Sequence, residues 1–339
     1  MTANNRIFYA VQAVAICKTG HHPTSVEIGY GNSAFMKGVQ SVGITSNFTL
    51  DQAFELGQIQ IYQNSEEVAD IEVTIEKVID GEKLLYGQAC GSLVKTNMVG
   101  AGNERCDVYL GIYSDSVSKT DLVAPGNVVN CSGMYVSSVS YTYPSDGQAT
   151  ESITLVGNDK FWKDNTAGVI ADPGTAYGSP PTGGSGSDTP ASGLVRRANV
   201  NVAECVLPTA VTQQTATASS SSGKSGGHHL TSMSVSADFG RESILELGGF
   251  GPYFRYASFP IEVTCEFEVT ATSGDLVNVS GTAENLGAGE QITLKDDAGT
   301  VLNLGAQNKL SSVSYSGGDT GGGNATVTYS YSTFNDLLV

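Results

Sequence analysis

Paired carboxylates are the groups in this sequence that could do chemistry, because two of them close together can serve as general acid and general base. Asp51 with Glu55, and Glu66 with Glu67, are two such pairs. Glycoside hydrolysis would use a pair of this kind. It would also need a sugar-binding cleft rich in aromatic side chains, and the chain has one tryptophan, Trp162. Since the chain carries 34 acidic residues, we interpret both pairs as solvated surface groups.

The other residue types of common active sites form no catalytic pattern. The four histidines stand in two pairs, His21-His22 and His228-His229, within loops that lack further ligands at metal-binding spacing. The chain has no nucleophile elbow, phosphate-binding loop, dinucleotide fingerprint or zinc-protease motif. The sequence therefore predicts no enzyme, no metal site and no cofactor.

Composition narrows the class of protein further. The net charge of −17 argues against binding nucleic acid through its phosphates, although an acidic wall would let DNA slide past without sticking. No apolar run approaches the length of a membrane helix, and no segment has the pattern of a secretory signal, so we expect neither a membrane span nor export. The six cysteines include no CxxC pair, and we interpret them as thiols of a protein made in a reducing compartment.

A duplicated segment organises the sequence. Phe48–Glu76 and Phe239–Glu266 share a Glu-Leu-Gly motif and a tyrosine at a constant offset of 191, and an Ile-Glu-Val-Thr run at an offset of 190. A later run, Ser137–Tyr141, recurs as Ser311–Tyr315 at an offset of 174. The offset falls from 190 to 174, so the second copy is shorter by 16 residues. Offsets held over so many residues indicate two copies of one domain.

The duplication divides the chain into three parts. Copy one covers 1–165, copy two covers 194–339, and 166–193 form a Gly-, Pro- and Ser-rich linker. The linker lacks the bulky apolar side chains that would let it order itself. A duplicated domain is also a natural way to build a symmetric ring from fewer chains.

Both copies have the pattern of β-strands. In Ile71–Glu76 and Ile261–Glu268, apolar and polar side chains alternate with period two, which is typical of half-buried strands. Further strands are expected at Gly57–Gln63 and Arg197–Val206, among others, and the best helix candidate is Glu82–Val94. We predict a mainly β protein of two tandem β-sandwich or barrel domains, each with one short flanking helix.

Several motifs of the two copies carry a resemblance to a known family. In copy one they are Glu55-Leu56-Gly57, Tyr62, Asp70–Val78 with Asp80-Gly81, and Gly157-Asn158-Asp159. In copy two they are Glu246-Leu247-Gly248, the segment 251–256, and Phe259–Glu268. Through these residues the sequence resembles bacteriophage tail tube proteins and related virion tail proteins. The likeness is one of pattern, covers most of both copies and includes no catalytic motif.

The resemblance implies both a fold and a function. In this family a β-sandwich or barrel with a flanking helix forms six-membered rings with a continuous inner β-barrel, and stacked rings form a tube for DNA ejection. Because this chain has two domains and the common member has one, we expect three chains to form a ring of pseudo-sixfold symmetry. The implied partners are tail sheath, baseplate and tape-measure proteins. The implied location is the virion tail, after synthesis in the host bacterial cytoplasm.

The acidic faces of the alternating strands are candidates for the lining of the bore. We expect these carboxylates to face the lumen: Glu72, Glu76, Glu262, Glu266 and Glu268. The alternative is that the same side chains face solvent on the outside. Pairing strand edges between neighbours around a closed ring would also remove the free edges that make a single sandwich prone to aggregation.

Two other functions fit parts of the same sequence. A baseplate hub, distal tail or tail-terminator ring protein would use the same fold, and its low copy number per particle would separate it from a tube protein. A surface or fibre adhesin would share the Thr-, Ser- and Gly-rich β composition, but such proteins usually carry an export signal.

Overall fold

A computed structural model describes residues 7, 12–20, 35–91, 98–113, 125–164, 193–214, 226–278, 289–318 and 323–339. The described chain is mainly β, as the alternating pattern predicts. The predicted linker, 166–193, lies outside the described residues except for Gly193, as do His21-His22. We call the residues before the linker the first half and those after it the second half.

The described part of the first half contains nine strands and two short helices. The strands are β1 (Gln12–Lys18), β2 (Val39–Asn47), β3 (Leu50–Phe54), β4 (Ile61–Glu66), β5 (Asp70–Val78), β6 (Cys106–Ile112), β7 (Asn127–Pro144), β8 (Thr150–Gly157) and β9 (Asp159–Asp164). The helices are α1 (Leu85–Ala89) and α2 (Met98–Gly102).

The described part of the second half contains eight strands and one helical turn. The strands are β10 (Leu230–Asp238), β11 (Glu242–Ile244), β12 (Phe254–Tyr256), β13 (Glu262–Thr270), β14 (Thr293–Lys295), β15 (Val301–Asn303), β16 (Lys309–Ser316) and β17 (Thr326–Phe334). The helical turn is α3 (Thr209–Thr212), and two 3-10 turns precede it at Arg197–Asn199 and Val202–Glu204.

Eight strands from both halves form one continuous antiparallel path in the order β16-β17-β13-β10-β7-β8-β5-β2. The second half supplies the first four strands of this path and the first half supplies the last four. Each half has the same internal order, because β16, β17, β13 and β10 occupy the places that β7, β8, β5 and β2 occupy in the other half. We call this path the main sheet.

A second layer packs against one face of the main sheet. β7 is long enough to serve both layers, since its beginning pairs with β6 and β9 while its end pairs with β8 and β10. In the second half the corresponding layer is the β14–β15 hairpin, flanked by single bridges from Val206 and Leu338. The buried core lies between the layers and joins Val73 and Ile153 of the main sheet with Val108 and Leu294 of the second layer.

The predicted alternation is confirmed in both halves. Ile71, Val73 and Ile75 of β5 are buried, and so are the inward residues of β13, including Cys265. Each inward side chain of this size contributes about 1.5–3 kcal/mol on burial, so the alternating strands account for much of the core's stability.

Two sequence-based expectations for local structure are wrong. Arg197–Val206 is two 3-10 turns, because the Asn199 side chain accepts a hydrogen bond from the Arg196 backbone N–H at 3.1 Å and so favours a turn. The strand expected at Gly57–Gln63 begins only at Ile61, because Gly57 has a φ of 91° and belongs to the turn between β3 and β4.

The helix expected at Glu82–Val94 is short in the structure. Among its described residues only Leu85–Ala89 are helical, and α2 begins later, at Met98. Glycines at positions 87 and 91 within the predicted range explain the short length, since glycine weakens a helix interior by roughly 1 kcal/mol.

Candidate functional site

One face of the main sheet is covered with hydroxyl and carboxylate groups. All five acidic residues predicted to form a functional face lie on it: Glu72, Glu262 and Glu266 are exposed, and Glu76 and Glu268 are partly buried. Each strand adds hydroxyl residues to the same face: Thr45, Thr74, Thr154, Ser140, Ser234, Thr264, Thr328 and Ser314. We call this surface the polar face.

The polar face has almost no positive charge. Among the described residues of the main sheet, Lys309 at the start of β16 is the one cation on this face. The carboxylates are held by neighbouring serines: Ser232 Oγ donates to Glu268 Oε2 at 3.1 Å and Ser330 Oγ donates to Glu266 Oε1 at 3.1 Å. An ordered acidic surface of this kind repels polyanions.

Strand registers identify the equivalent residues of the two halves. β2 has a bulge at Gln40 and β10 has one at Thr231, and the serine after each bulge lies opposite Glu76 and Glu268 respectively. Glu76 and Glu268 are therefore equivalent, at an offset of 192. The offset of 190 taken from the Ile-Glu-Val-Thr run is therefore wrong by two residues. The sequence pattern hides this error, because shifting a strand by two residues leaves its inward and outward positions unchanged.

The two halves join through β7 and β10, a pairing that we call the seam. It runs antiparallel from Ser232 opposite Pro144 to Asp238 opposite Ser138. On its core side Tyr141 lies opposite Val235, and both side chains are buried. The seam thus combines a backbone ladder with apolar packing, which is how neighbouring strands of one domain are held.

The outer edges of the main sheet are β2 and β16. β2 is the counterpart of β10, with matching bulges at Gln40 and Thr231. β16 is the counterpart of β7, with matching bulges at Ser311 and Ser137. One outer edge therefore corresponds to β10 and the other to β7, the two strands that pair in the seam.

Equivalent residues at the seam and at the outer edges differ in exposure. Tyr141 at the seam is 0% exposed, whereas its counterpart Tyr315 on β16 is 52% exposed. Phe239 after β10 is 0% exposed, whereas its counterpart Phe48 after β2 is 69% exposed. The outer edges therefore carry apolar residues equivalent to those of the seam, but within one chain no neighbouring strand covers them.

Phe239 is covered by the helices of the first half. The ring centroids of Phe239 and Tyr86, in α1, are 6.1 Å apart, and Gly102 of α2 also lies against Phe239. The backbone N–H of Met98 donates to the Asn335 carbonyl at 3.4 Å. The helices of one half therefore support the strands of the other half across the seam.

A hairpin projects from the same end of the main sheet in each half. Hairpin one (48–67) connects β2 to β5, and hairpin two (239–259) connects β10 to β13. Large apolar side chains at their tips are almost wholly exposed: Leu56 104%, Ile59 102%, Leu247 106% and Phe250 81%. A cleft of about 500 Å³ lies between the base of hairpin one and the segment of hairpin two from Phe250 to Arg255. Large exposed apolar side chains grouped at a hairpin tip are typical of interaction sites.

A buried charged cluster distinguishes the first half. Lys77 on β5 forms an ion pair with Asp80 and lies opposite Glu151 on β8, and all three side chains are buried. The corresponding cross-strand pair in the second half is Val269 with Val327. Sequence reasoning missed this cluster, although charged residues at inward positions of alternating strands are a signal that could have revealed it.

Glu151 fixes the start of α1. Its carboxylate accepts hydrogen bonds from the backbone N–H groups of Leu85 at 2.6 Å and Tyr86 at 2.9 Å, and from the Tyr141 hydroxyl at 3.1 Å. Burial raises the pKa of Glu151, while the two backbone hydrogen bonds act against that shift. Because Tyr141 belongs to the seam, the network ties the seam to the helices that cover it.

The carboxylate pairs considered for catalysis both belong to hairpin one, and Glu66 and Glu67 also line the cleft. Asp51, Glu55, Glu66 and Glu67 all lie exposed on hairpin one. Among the described residues no three His, Cys, Asp or Glu side chains converge to hold a metal ion. In the same part of the chain no helix is long and apolar enough to cross a membrane. All six cysteines are free thiols.

Comparison with known proteins gives matches only among solved structures. No family model matches the sequence, and no curated protein matches it. The anti-feeding prophage tube-terminating cap is 12% identical over 48% of this chain and 95% of its own, with a TM-score of 0.33. The sheath-tube complex of an extracellular contractile injection system, PVC, is 13% identical over 48% and 94%, with a TM-score of 0.32. Hcp1 from Salmonella typhimurium is 14% identical over 46% and 97%, with a TM-score of 0.23.

These superpositions each cover about half of the chain.

Proposed function

We propose that this chain is the ring-forming unit of a virion tail tube, in which chains join edge to edge and the rings stack. The observation that carries the proposal is that the free edges, β2 and β16, are the counterparts of β10 and β7, which already pair within the chain. Because one free edge is of the β10 type and the other is of the β7 type, successive chains can pair head to tail. The row of chains closes into a ring when the rotation from one chain to the next allows it.

The seam gives the register of the contact between chains. Ser236 lies opposite Ser140 in the seam, so Thr45 of one chain should lie opposite Ser314 of the next. In the same way Ile44 should meet Tyr315, as Val235 meets Tyr141. The new contact would cover the exposed Tyr315 and Phe48 and would satisfy the free backbone groups of both edges.

Three chains would supply six equivalent four-stranded units, the number that the family resemblance implies. The outside of a ring has a larger circumference than the inside. The second layer and the helices add bulk to one face of the main sheet, so that face belongs on the outside of a ring and the polar face belongs on the inside. The bore would then be lined with hydroxyl groups and carboxylates, including Glu72 and Glu266, and DNA could pass without binding. In the virion tail, the tube's neighbours would be sheath, baseplate and tape-measure proteins.

Disulfide trapping tests the contact. A variant with Thr45→Cys and Ser314→Cys should form intermolecular disulfides on mild oxidation, since paired strands hold opposite Cα atoms about 4.5–5.5 Å apart, within disulfide range. Non-reducing gels should show products that end at a closed trimer. Thr45→Cys with Ser316→Cys, two residues out of register on the same face, is the matched control. Equal trapping in both variants, or none in the first, would refute the proposed register.

A further inference from the structure

Hairpin two is held on the first half of the chain by two arginines. Arg255 forms an ion pair with Asp70 at the start of β5, and its Nε atom donates to Asn158 Oδ1 at 3.3 Å. Arg241 Nε donates to the Val136 carbonyl of β7 at 2.6 Å. Because both arginines belong to the second half and these acceptors belong to the first, we call the two arginines the arginine clamp.

The arginine clamp is largely shielded from water. The Arg255 side chain is 10% exposed, and the Arg241 guanidinium lies 5.2 Å from the ring centroids of both Tyr135 and Phe239. Contacts between a cation and an aromatic ring are stronger when the cation is removed from solvent. The clamp therefore holds hairpin two in place within the single chain, before any second chain is present.

Hairpin one has no equivalent of the arginine clamp. The registers of the two hairpins place Asn64 at the position of Arg255 and Leu50 at the position of Arg241, both at an offset of 191. The sequence from 48 to 67 contains no lysine or arginine at all. Hairpin one therefore has no cation with which to hold a neighbouring chain.

The second half nevertheless carries a carboxylate where a clamp would need one. Strand registers make Glu262 of β13 the counterpart of Asp70 of β5. Glu262 is exposed, and among the described residues it has no ion-pair partner. In the proposed ring, hairpin one of one chain lies against the second half of the next, as hairpin two lies against the first half, so Asn64 faces Glu262. A neutral amide thus takes the place of the guanidinium at each contact between chains.

We propose that the arginine clamp makes the seam the fixed joint of the ring, and that the contact between chains, which lacks the clamp, is the joint at which rings open and exchange whole chains. Clamped and unclamped joints alternate around such a ring. The two joints share one strand pairing and differ in the residues at the base of the hairpin. The inference rests on the proposed function, since the unclamped joint is the pairing of β2 with β16.

Adding the missing arginine tests the unclamped joint. Asn64→Arg should lower the concentration at which rings dissociate about fivefold at low salt, because the new guanidinium would pair with Glu262 of the next chain. The gain should disappear when Glu262→Gln is added, and it should shrink as salt rises. Ser65→Arg is the matched control, since it adds the same charge one residue on, where the side chain points to the opposite face of β4. Sedimentation velocity over a dilution series measures the dissociation of each protein.

Removing part of the clamp tests the fixed joint in the dilute chain, where no ring is present. Arg255→Asn gives hairpin two the residue that hairpin one has at the same position. Amide hydrogen exchange in 239–259 should become at least about fivefold faster in this variant, because the hairpin loses its hold on the first half. Arg197→Asn removes an exposed arginine outside the clamp and should leave this exchange unchanged. Mass spectrometry of the exchanged protein measures the effect.

The two measurements separate the possible failures. Equal gains from Asn64→Arg and Ser65→Arg, or no gain from either, would overturn the assignment of the unclamped joint while rings still form. Exchange in hairpin two that does not respond to Arg255→Asn would overturn the clamp. A wild-type chain that forms no ring would overturn the proposed function and the unclamped joint with it, and the exchange measurement would then decide the role of the clamp by itself.

Discussion

Replacing Tyr315 with serine should weaken the contact between chains without weakening the fold of one chain. The side chain is 52% exposed on the free edge, and its counterpart at the seam, Tyr141, is 0% exposed. A tyrosine buries about 200 Å² in all, so the contact between chains would cover about 100 Å² of Tyr315. At about 25 cal/mol per Å² this corresponds to about 2.5 kcal/mol for each contact. The dissociation constant of each contact should therefore rise about 60-fold.

Sedimentation velocity over a dilution series measures the effect, because the concentration at which rings fall apart should rise in the variant. Thermal unfolding of the dilute chain should stay within about 0.5 kcal/mol of the wild type, as expected for a surface substitution. Tyr253→Ser is the control, since this tyrosine is 65% exposed on hairpin two and takes no part in the edges. If Tyr315→Ser and Tyr253→Ser dissociate at the same concentration as the wild type, the edge-to-edge reasoning is refuted.

Three further predictions concern the bore and the core. Glu262→Lys combined with Glu266→Lys should leave rings intact but make tubes retain DNA, with retention falling as salt rises, and unaltered ejection from full particles would count against an acidic bore. Burial raises the pKa of Glu151, so the folded state holds that proton more tightly and stability should fall as pH rises from the ordinary glutamate pKa toward the raised one. Urea unfolding at several pH values should show this slope flattened in Glu151→Gln, and an unchanged slope would contradict the assignment. A Cβ at Gly157 would overlap the sulfur of buried Met134, so Gly157→Ala should cost about 1–3 kcal/mol and lower the melting temperature, and an unchanged melting temperature would contradict this close packing.

The class of fold follows closely from the sequence. Alternation in strands such as Ile71–Glu76 identifies a buried and a solvated face by itself, and the structure confirms both faces. The same property hides the true alignment of the copies. Since period two is unchanged by a slip of two residues, only the bulges at Gln40 and Thr231 reveal that Glu76 corresponds to Glu268.

Features that depend on distant contacts could not be predicted in this way. Glu151 is buried because α1, from a separate stretch of chain, supplies backbone N–H groups to its carboxylate. The seam also depends on the pairing of β7 with β10, which are far apart in sequence. One local signal was available but missed: the Asn-Asp dipeptide at 158–159 recurs at 335–336. In each half the asparagine holds the start of the neighbouring strand, β5 or β13, since Asn158 Nδ2 donates to the Ala69 carbonyl at 2.9 Å and Asn335 Oδ1 accepts from the Ile261 N–H at 2.8 Å.

The proposed ring is built on the pairing of β2 with β16 of a neighbouring chain, and a cryo-electron microscopy reconstruction of the assembled protein tests that pairing directly. We expect a closed ring of three chains of 35.2 kDa each, a continuous inner barrel, and Thr45 opposite Ser314 at every contact between chains. Six chains in a ring, or free β2 and β16 edges in the assembly, would contradict it.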